Sequence, residues 1–490
     1  MESLVAQILA RARSLPEKTS CVFPDGEKIS YAELSSGVRA AAKAFGAAAV
    51  RGERVLVAAE KTREFLFAYF GAHLAGLVAV PLDPECNPER LAGIASFTEA
   101  RFVCGNFVHG DVVAKLSRIS PRSALVGGED EFRENVVSEQ ALADIVFTTG
   151  TTGAPKGVCL TQVNLSAAAR HINDFVGTEG NDTEVVALPI CHSFGLGRVR
   201  CLLSVGATVV FVNGFAAVKK LFRALDQNRA TGFAMVPASW AYLKKMSGER
   251  IAEFGKTLRY VEIGSAPMPT EDKRLLMRLL PNTRICMHYG LTEASRSAFC
   301  EFHECAENLE TIGRAAPHVA IAVFDENGVP VPAGTPGEIC VRGEHVSPGY
   351  WRDENPGAHC FEGGFFRTGD LGCENADGTF SLVGRIKEIV NVGGKKVSPQ
   401  EVEEALNSLP EIAESACVGV PDPSGMLGEA LKACLVPAPG FYDAAFPSDA
   451  ELRARLAPLL ETFKIPSIFV RVPAIPKTAS GKLQRRLLKD

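Results

Sequence analysis

The sequence predicts an α/β protein: a mainly parallel sheet architecture over most of the chain and a compact α+β unit at its C-terminal end. Three observations carry this. Strand-like apolar runs alternate with segments of helical spacing, the pattern of βαβ units. From Val319 to Val341 the texture changes to alternating apolar residues between Gly and Pro turns, which predicts antiparallel strands. At 490 residues the chain exceeds one ordinary core, so two or more domains are expected, with a boundary near Gly384 to Glu388.

Taken in order, Leu4, Val5, Ile8 and Leu9 share a face of a helix over residues 2–14. Gly26 marks a hairpin turn before Ile29. Ser30 three residues ahead of Glu33 is a capping-box signal for a helix through Phe45. Strands follow at Arg54–Ala58 and Val78–Leu82, with helices at Glu64–Leu74 and Glu89–Phe97. Ile145–Phe147 reads as a buried strand end and Leu165–Val176 as a helix. Strands are then expected at Val185–Pro189, Ala207–Val212, Gly232–Val236 and Leu258–Ile263, with a helix at Val218–Gln227. Beyond the boundary the reading is a strand at Ile389–Val392, a helix at Pro399–Leu406, strands near Ala416–Val420 and Leu431–Val436, a helix at Ala450–Leu460 and a basic tail.

Composition excludes several classes. A net charge of −5 gives no electrostatic footprint for nucleic acid or an anionic membrane. No apolar run is long enough to span a bilayer, and the N-terminus lacks signal-peptide character. The 14 cysteines include no C-x-x-C pair and read as buried or free thiols of a reducing cytoplasm.

Between Thr148 and Gly157 the chain reads T-T-G-T-T-G-A-P-K-G. Glycines let backbone N–H groups approach an anion, and hydroxyls and an ammonium add donors, which is the chemistry of a triphosphate cradle. It is not a Walker A loop, because Gly157 follows Lys156. Taken alone, it reads equally well as a solvated Gly/Thr loop.

Further motifs follow in a fixed order: Leu188-Pro-Ile-Cys-His192-Ser-Phe-Gly195, Gly264-Ser-Ala-Pro267, Tyr289-Gly-Leu-Thr-Glu293, Phe366-Arg-Thr-Gly-Asp370-Leu, Gly384-Arg-Ile-Lys-Glu388 and Pro476-Lys-Thr-Ala-Ser-Gly-Lys482. With them the chain, from about Ile29 onward, resembles the adenylate-forming superfamily of acyl-CoA synthetases, nonribosomal peptide synthetase adenylation domains and beetle luciferases. The resemblance implies a large N-terminal domain (1–384) of βαβ-type sheets flanked by helices plus a small β-barrel-like region. It also implies a smaller mobile α+β domain (385–490), hinged at Lys387. The implied reaction has two halves. A carboxylate attacks the α-phosphate of ATP to give an acyl-adenylate and pyrophosphate, and a thiol of CoA or of carrier-protein phosphopantetheine then takes the acyl group and releases AMP.

Roles carry over position by position. Thr148, Thr149, Gly150, Thr151, Thr152 and Lys156 match the holders of the β- and γ-phosphates. Gly264, Ser265, Ala266 and Pro267 line adenine and acid, with His288, Tyr289 and Gly290 beside them, Tyr289 packing on adenine. By the same resemblance Thr292 matches a hydroxyl donor to the α-phosphate and Glu293 matches the Mg²⁺ carboxylate. Asp370 matches the acceptor for the ribose hydroxyls with Arg385 nearby, and Lys482 matches the lysine that bridges acid and α-phosphate. His192, Phe194, Gly195 and Trp240, with Gly264 and Gly290, match the acid-pocket positions, and Gly393 and Gly394 match the segment that borders the thiol tunnel. Met287-His288 departs from the polar-Gly pair more frequent before the tyrosine. Outside this context Asp370 would be a turn residue, and Lys482 part of a solvated basic tail or a nucleic-acid patch.

Neither His192–Leu196 nor Val236–Trp240 holds a carboxylate for an α-ammonium, which favours a fatty or aromatic acid over an amino acid. Arg198, Arg200 and Arg296 lie close to pocket motifs and read as helix-surface arginines or as partners for a second substrate carboxylate. CoA is the simpler acceptor. A carrier protein supplied in trans stands close behind, because Asn391 replaces a basic residue of some CoA ligases. A non-catalytic nucleotide-binding paralogue and a luciferase-like oxygenase are further readings, and the expected assembly is a monomer or homodimer.

Overall fold

The computed structural model describes residues 2–119, 137–148, 156–361, 363–423, 428–441, 446–477 and 483–489. The chain opens with α1 (Leu4–Ser14), β1 (Thr19–Val22), β2 (Lys28–Ser30), α2 (Tyr31–Ala48), β3 (Arg54–Ala58), α3 (Arg63–Ala75), β4 (Val78–Leu82), α4 (Pro88–Thr98), β5 (Phe102–Cys104) and β6 (Ser117–Arg118). It continues through β7 (Leu142–Thr148), β8 (Lys156–Thr161), α5 (Gln162–Val176), β9 (Thr183–Val186), α6 (Ser193–Val205), β10 (Thr208–Phe211), α7 (Val218–Gln227) and β11 (Gly232–Met235). Next come α8 (Pro237–Ser247), β12 (Tyr260–Ile263), α9 (Thr270–Leu279), β13 (Arg284–Tyr289), β14 (Ala298–Glu301) and β15 (Arg314–Ala315).

Two compact units emerge, Met1–Ile321 with Val341–Phe366, and Ala322–Cys340 with Arg367–Asp490. In the first, a nine-stranded sheet runs in the order β15-β14-β13-β12-β11-β9-β10-β1-β2. Its six central strands, from β13 to β1, are parallel. Parallel strands need crossovers, and α6 to α9 supply them. A second sheet runs in the order β18-β8-β7-β4-β3-β5-β6, with β18 (Gly349–Tyr350) antiparallel to β8, β8 antiparallel to β7 and the remaining pairs parallel. The largest core is filled by α1, α2, α3, α5 and α6.

Local signals are met where they were complete. The Ser30 backbone N–H donates to Glu33 Oε2 (2.7 Å) while the Glu33 N–H donates to Ser30 Oγ (3.2 Å), so α2 starts at the capping box. Gly26 turns the β1–β2 hairpin at φ +93°. Departures have physical causes. The strand expected at Val185–Pro189 spans Thr183–Val186, and Leu188-Pro189 lie in the loop beyond it. α6 had no expectation: eleven of its thirteen residues, all but Ser193 and Val205, are buried, so it has little periodicity to betray. Residues Lys156 and Gly157, read as loop, begin β8. The helix expected to Leu460 stops at Leu456.

In the second unit, β16 (Ala320–Phe324) and β17 (Gly337–Arg342) enter a sheet with β20 and β21, after the short β18 (Gly349–Tyr350) and β19 (Cys360–Phe361) of the first unit. β20 (Phe365–Glu374) and β21 (Phe380–Arg385) are antiparallel. An antiparallel bridge Phe324–Pro330 closes the turn at Asn327-Gly328. Then follow a hairpin of β22 (Val390–Val392) and β23 (Lys395–Val397), α10 (Pro399–Asn407), β24 (Ile412–Pro421), β25 (Glu429–Pro437), α11 (Asp449–Leu456) and β26 (Ile468–Arg471). β24 to β26 form one sheet over a core with α10 and α11. Among the described residues no helix is long and apolar enough to cross a membrane. Eleven of the fourteen cysteines are buried and all are free thiols.

Candidate active site

Four motif loops leave the same edge of the nine-stranded sheet. Leu188–Gly195 follows β9, Val236–Trp240 follows β11, Gly264–Pro267 follows β12 and Gly290–Glu293 follows β13. All four strands are parallel, so these are carboxyl ends, where open α/β sheets hold their ligands. Among the described residues, two of the six non-glycine positions with positive φ lie here, Ser265 (+75°) and Arg296 (+55°). Such backbone conformations persist only where the surroundings over-determine them.

Close packing explains two glycines. A Cβ on Gly264 would fall 2.2 Å from His288 Cε1 and Nε2, and one on Gly195 would fall 2.2 Å from the Pro189 carbonyl. His192 is the N-cap of α6 without a side-chain capping bond. Phe194 lies edge-on to His288 at 4.6 Å. Trp240 is 1% exposed in the core beneath the edge, and its indole N–H has no acceptor among the described residues. Thr292 lines a cavity of about 20 Å³ with Ser193, Ser295, Arg296 and His345, room for one water. His345 there stacks edge-on to His171 at 4.8 Å. Burial pushes His171 down to about 4 and His345 down to about 3, so both are neutral.

Beneath the edge lies a charge network absent from the sequence reading. Glu262, fully buried on β12, pairs with His288 Nδ1 at 2.7 Å, Arg296 Nε at 3.0 Å and Arg198 Nη1 at 3.1 Å. Arg198 Nε also donates to Glu184 Oε1 (2.9 Å), which accepts the Tyr260 hydroxyl through Oε2 (2.7 Å). Arg296 donates onward to the Ser193 (3.2 Å) and Phe194 (3.1 Å) carbonyls. Burial alone would raise the Glu262 pKa, but Arg296 and Arg198 outweigh it and hold the carboxyl well below the usual range. Arg200 pairs with Asp144 and donates to the Tyr69 hydroxyl (2.9 Å). The helix-surface reading of Arg198, Arg200 and Arg296 is therefore corrected: all three are buried and paired with protein carboxylates. Nothing in a single buried Glu on a strand signals partners 64, 26 and 34 residues away in sequence, since these meet only through the sheet register.

Lys61, also missed, reaches from the second sheet to this edge. Its Nζ donates to the carbonyls of Ala187 (2.9 Å) and Val212 (2.6 Å), clamping the ends of β9 and β10.

The phosphate and metal candidates meet through Tyr350. Its hydroxyl donates to Glu293 Oε1 (2.7 Å), and Lys156 Nζ lies 5.1 Å from its ring centroid. Lys156 pairs with Thr148 across the β7–β8 ladder. Thr149, Gly150, Thr151 and Thr152 lie outside the described residues, as does Lys482.

In the second unit Asp370 is 3% exposed and sits opposite Arg385 in the β20–β21 ladder, with Arg385 Nε 2.8 Å from Asp370 Oδ1. It is a buried strand carboxylate and not a turn residue. Lys387 is exposed in a short 3₁₀ turn. Gly393 and Gly394, at φ +58° and +82°, form the two-residue turn of the β22–β23 hairpin. Arg485 of the basic tail is half-buried and paired with Glu388 (2.8 Å) and Glu403, so that residue is no solvated helix face.

Residues 8–351 match the model of the AMP-binding enzyme family, and residues 401–482 match that of the AMP-binding enzyme C-terminal domain. The chain belongs to the AMP-binding enzyme family. It is 32% identical over 483 residues to a feruloyl-CoA synthase of Amycolatopsis, covering 96% of each. It is 31% identical to an indoleacetate–CoA ligase of Aromatoleum aromaticum, covering 96% of this chain and 94% of that one. Among solved structures, ATP-bound MatB of Rhodopseudomonas palustris superposes with a TM-score of 0.91 at 28% identity, over 99% of this chain and 98% of that one.

Within this AMP-binding family the chain is an AMP-forming acid–thiol ligase. ATP with magnesium, and CoA or phosphopantetheine as thiol acceptor, are the reactants of that class. The residues fit them. Glu293 Oε1 is taken by Tyr350, while Oε2 has no partner among the described residues, which suits a cation that draws one protein oxygen. Asp370, buried and acceptor-only, suits a diol.

Proposed function

We propose that the protein activates a fatty or aromatic carboxylic acid as its acyl-adenylate, with release of pyrophosphate, and then transfers the acyl group to CoA in the cytoplasm. The observation that carries this is the convergence of four motif loops on one carboxyl edge, with Tyr350 linking Glu293 and Lys156 beside it. Both reactants are anionic, so the task is positioning and charge neutralisation. Lys156 and Thr148 to Thr152 hold the β- and γ-phosphates, Glu293 holds magnesium, and Thr292 donates to the α-phosphate. Tyr289 packs on adenine, beside Gly264 to Pro267, His288 and Gly290, and Asp370 and Arg385 hold the ribose. Lys482 lies between carboxylate and α-phosphate. His192, Phe194, Gly195 and Trp240 line the acid pocket. Glu262 and Glu184 are both paired with arginines, so neither is available to an α-ammonium, which supports an acid without one.

After adenylation, rotation at Lys387 of the domain from residue 385 onward brings Gly393-Gly394 beside the thiol. A carrier-protein acceptor is the second reading, resting on Asn391 in place of a basic residue. Pyrophosphate release with ATP and Mg²⁺ across fatty, aryl, dicarboxylic and amino acids, with hydroxylamine trapping the adenylate, tests the first half. Repeating it with CoA or carrier protein tests the second. A folded, ATP-binding protein silent with every acid would refute the proposal. Lys482→Ala is expected to slow pyrophosphate release by about a hundred- to a thousandfold while ATP binding, measured by calorimetry, stays within a few-fold.

A further inference from the structure

Local forces oppose the position of Lys61. It stands just ahead of α3, where Thr62 caps the helix by accepting the Phe65 N–H (3.3 Å), and a cation at a helix N-terminus is unfavourable. Among the described residues no carboxylate pairs with it. Cys191, the titratable neighbour that acts on it, stays a neutral thiol because burial pushes it up to about 12. What holds Lys61 is main chain. Its Nζ donates to the carbonyls of Val186 (3.2 Å), Ala187 (2.9 Å) and Val212 (2.6 Å). Three acceptors meet the three N–H groups of one ammonium, whereas a neutral amine would leave its lone pair against an oxygen. Burial, which pushes the amine down to about 7, is thus opposed by hydrogen bonds that only the charged form completes. Val186 ends β9, Ala187 opens the loop that carries His192 and Phe194, and Val212 follows β10. The β9–β10 ladder stops at Val186, so Ala187 is the first residue beyond it.

We infer that Lys61 is a positioning residue that acts as a tethered monovalent cation: the carbonyls of Val186, Ala187 and Val212 form an ammonium site at the root of the acid-pocket loop, and the side chain supplies the ion that holds the loop in register. This rests on the reading that Leu188 to Gly195 line the acid. An apolar side chain of the same length would fill the volume and leave the buried carbonyl oxygens short of a donor. A free ion of the same charge and hydrogen-bonding capacity would satisfy them without the tether.

The test removes the tether and returns the ion. Lys61→Ala leaves room for a free ammonium ion, and Lys61→Met fills that room with an apolar chain. Both are compared with the wild type in sodium chloride, ammonium chloride and tetramethylammonium chloride at equal ionic strength. The readouts are kcat, KM for the acid most active in pyrophosphate release, KM for ATP, and melting temperature. In sodium chloride both variants are expected to lose about tenfold or more in kcat/KM for the acid, with KM for ATP within about twofold of the wild type. Ammonium at about 0.1 M should return Lys61→Ala to within about threefold of the wild type and raise its melting temperature, while Lys61→Met and the wild type do not respond. Full activity of both variants in sodium chloride, equal rescue by tetramethylammonium, equal rescue of Lys61→Met, or no rescue of Lys61→Ala overturns the inference. Folding of Lys61→Ala in ammonium alone is the same rescue. Should neither variant fold in any salt, labelling of the wild type with acetic anhydride decides: Lys61 is expected to react about tenfold or more slower than the exposed Lys219 and Lys220, and equal rates reject the site. If the wild type turns over no acid, the activation reading falls, and the ammonium-dependent melting of Lys61→Ala decides this inference by itself.

Discussion

The carboxyl edge of the nine-stranded sheet and the segment from Arg385 to Val397 treat charge in opposite ways. At the edge, Glu184, Glu262 and Arg198 have fully buried side chains and Arg296 is 2% exposed, each bonded to two or more partners. In the second segment the Arg385 side chain is 44% exposed, Lys387, Lys395 and Lys396 face solvent, and two glycines make the turn. Desolvated, fully paired charges have one arrangement of low energy, which suits loops that must hold reacting atoms in register. Exposed charges with few partners change surroundings at little cost, which is compatible with the hinge proposed at Lys387.

The contrast is broken most strongly at its buried side. Glu262→Ala strands the buried Arg296 without a carboxylate and leaves Arg198 with Glu184 alone, and a loss of about 3–5 kcal/mol in urea unfolding is expected, against nearly none for Lys387→Ala. Next comes the hinge: Lys387→Pro should slow thioester formation by roughly tenfold or more in single-turnover assays while adenylation barely changes. Equal losses in both steps would remove the hinge assignment.

Acid sharpens the difference further. His171 and His345 are neutral when folded and take up protons near pH 6.5 when unfolded, so the unfolded chain binds more protons below that pH. Their contribution is complete above about 6.5 and falls as pH drops toward 4 and 3, by about 1.4 kcal/mol per unit for each histidine. His345→Phe should flatten the stability curve between pH 4 and 6.5. The smallest effect is expected at Tyr350→Phe, which frees Glu293 Oε1 and should weaken binding of ATP with Mg²⁺ by about three- to tenfold, measured by titration without acid. An unchanged affinity would show that Tyr350 does not position Glu293.

Legibility in the sequence followed the distance over which each interaction acts. The Ser30–Glu33 box, Gly26 and the run Val78–Leu82 depend on neighbours within a few residues and were readable. α6 was not, because a helix buried on most sides has no polar stripe to mark its period. The motif residues were legible as types in order, since phosphate, ribose and adenine make the same chemical demands wherever they bind. The arginines of α6 were misread as surface, because Arg in a helix is exposed unless a distant carboxylate happens to lie beneath it.

By itself, then, the sequence determined the family, the alternating α/β plan and the candidates for phosphate, magnesium and ribose, because these rest on local pattern and on motif order. Only the tertiary structure decided that Glu262 stands under Gly264, that His288 is held by it, and that Lys61 and Tyr350 tie separate segments to the site. Those contacts are set by strand register and by helices crossing a sheet, which bring together residues that no spacing along the chain relates.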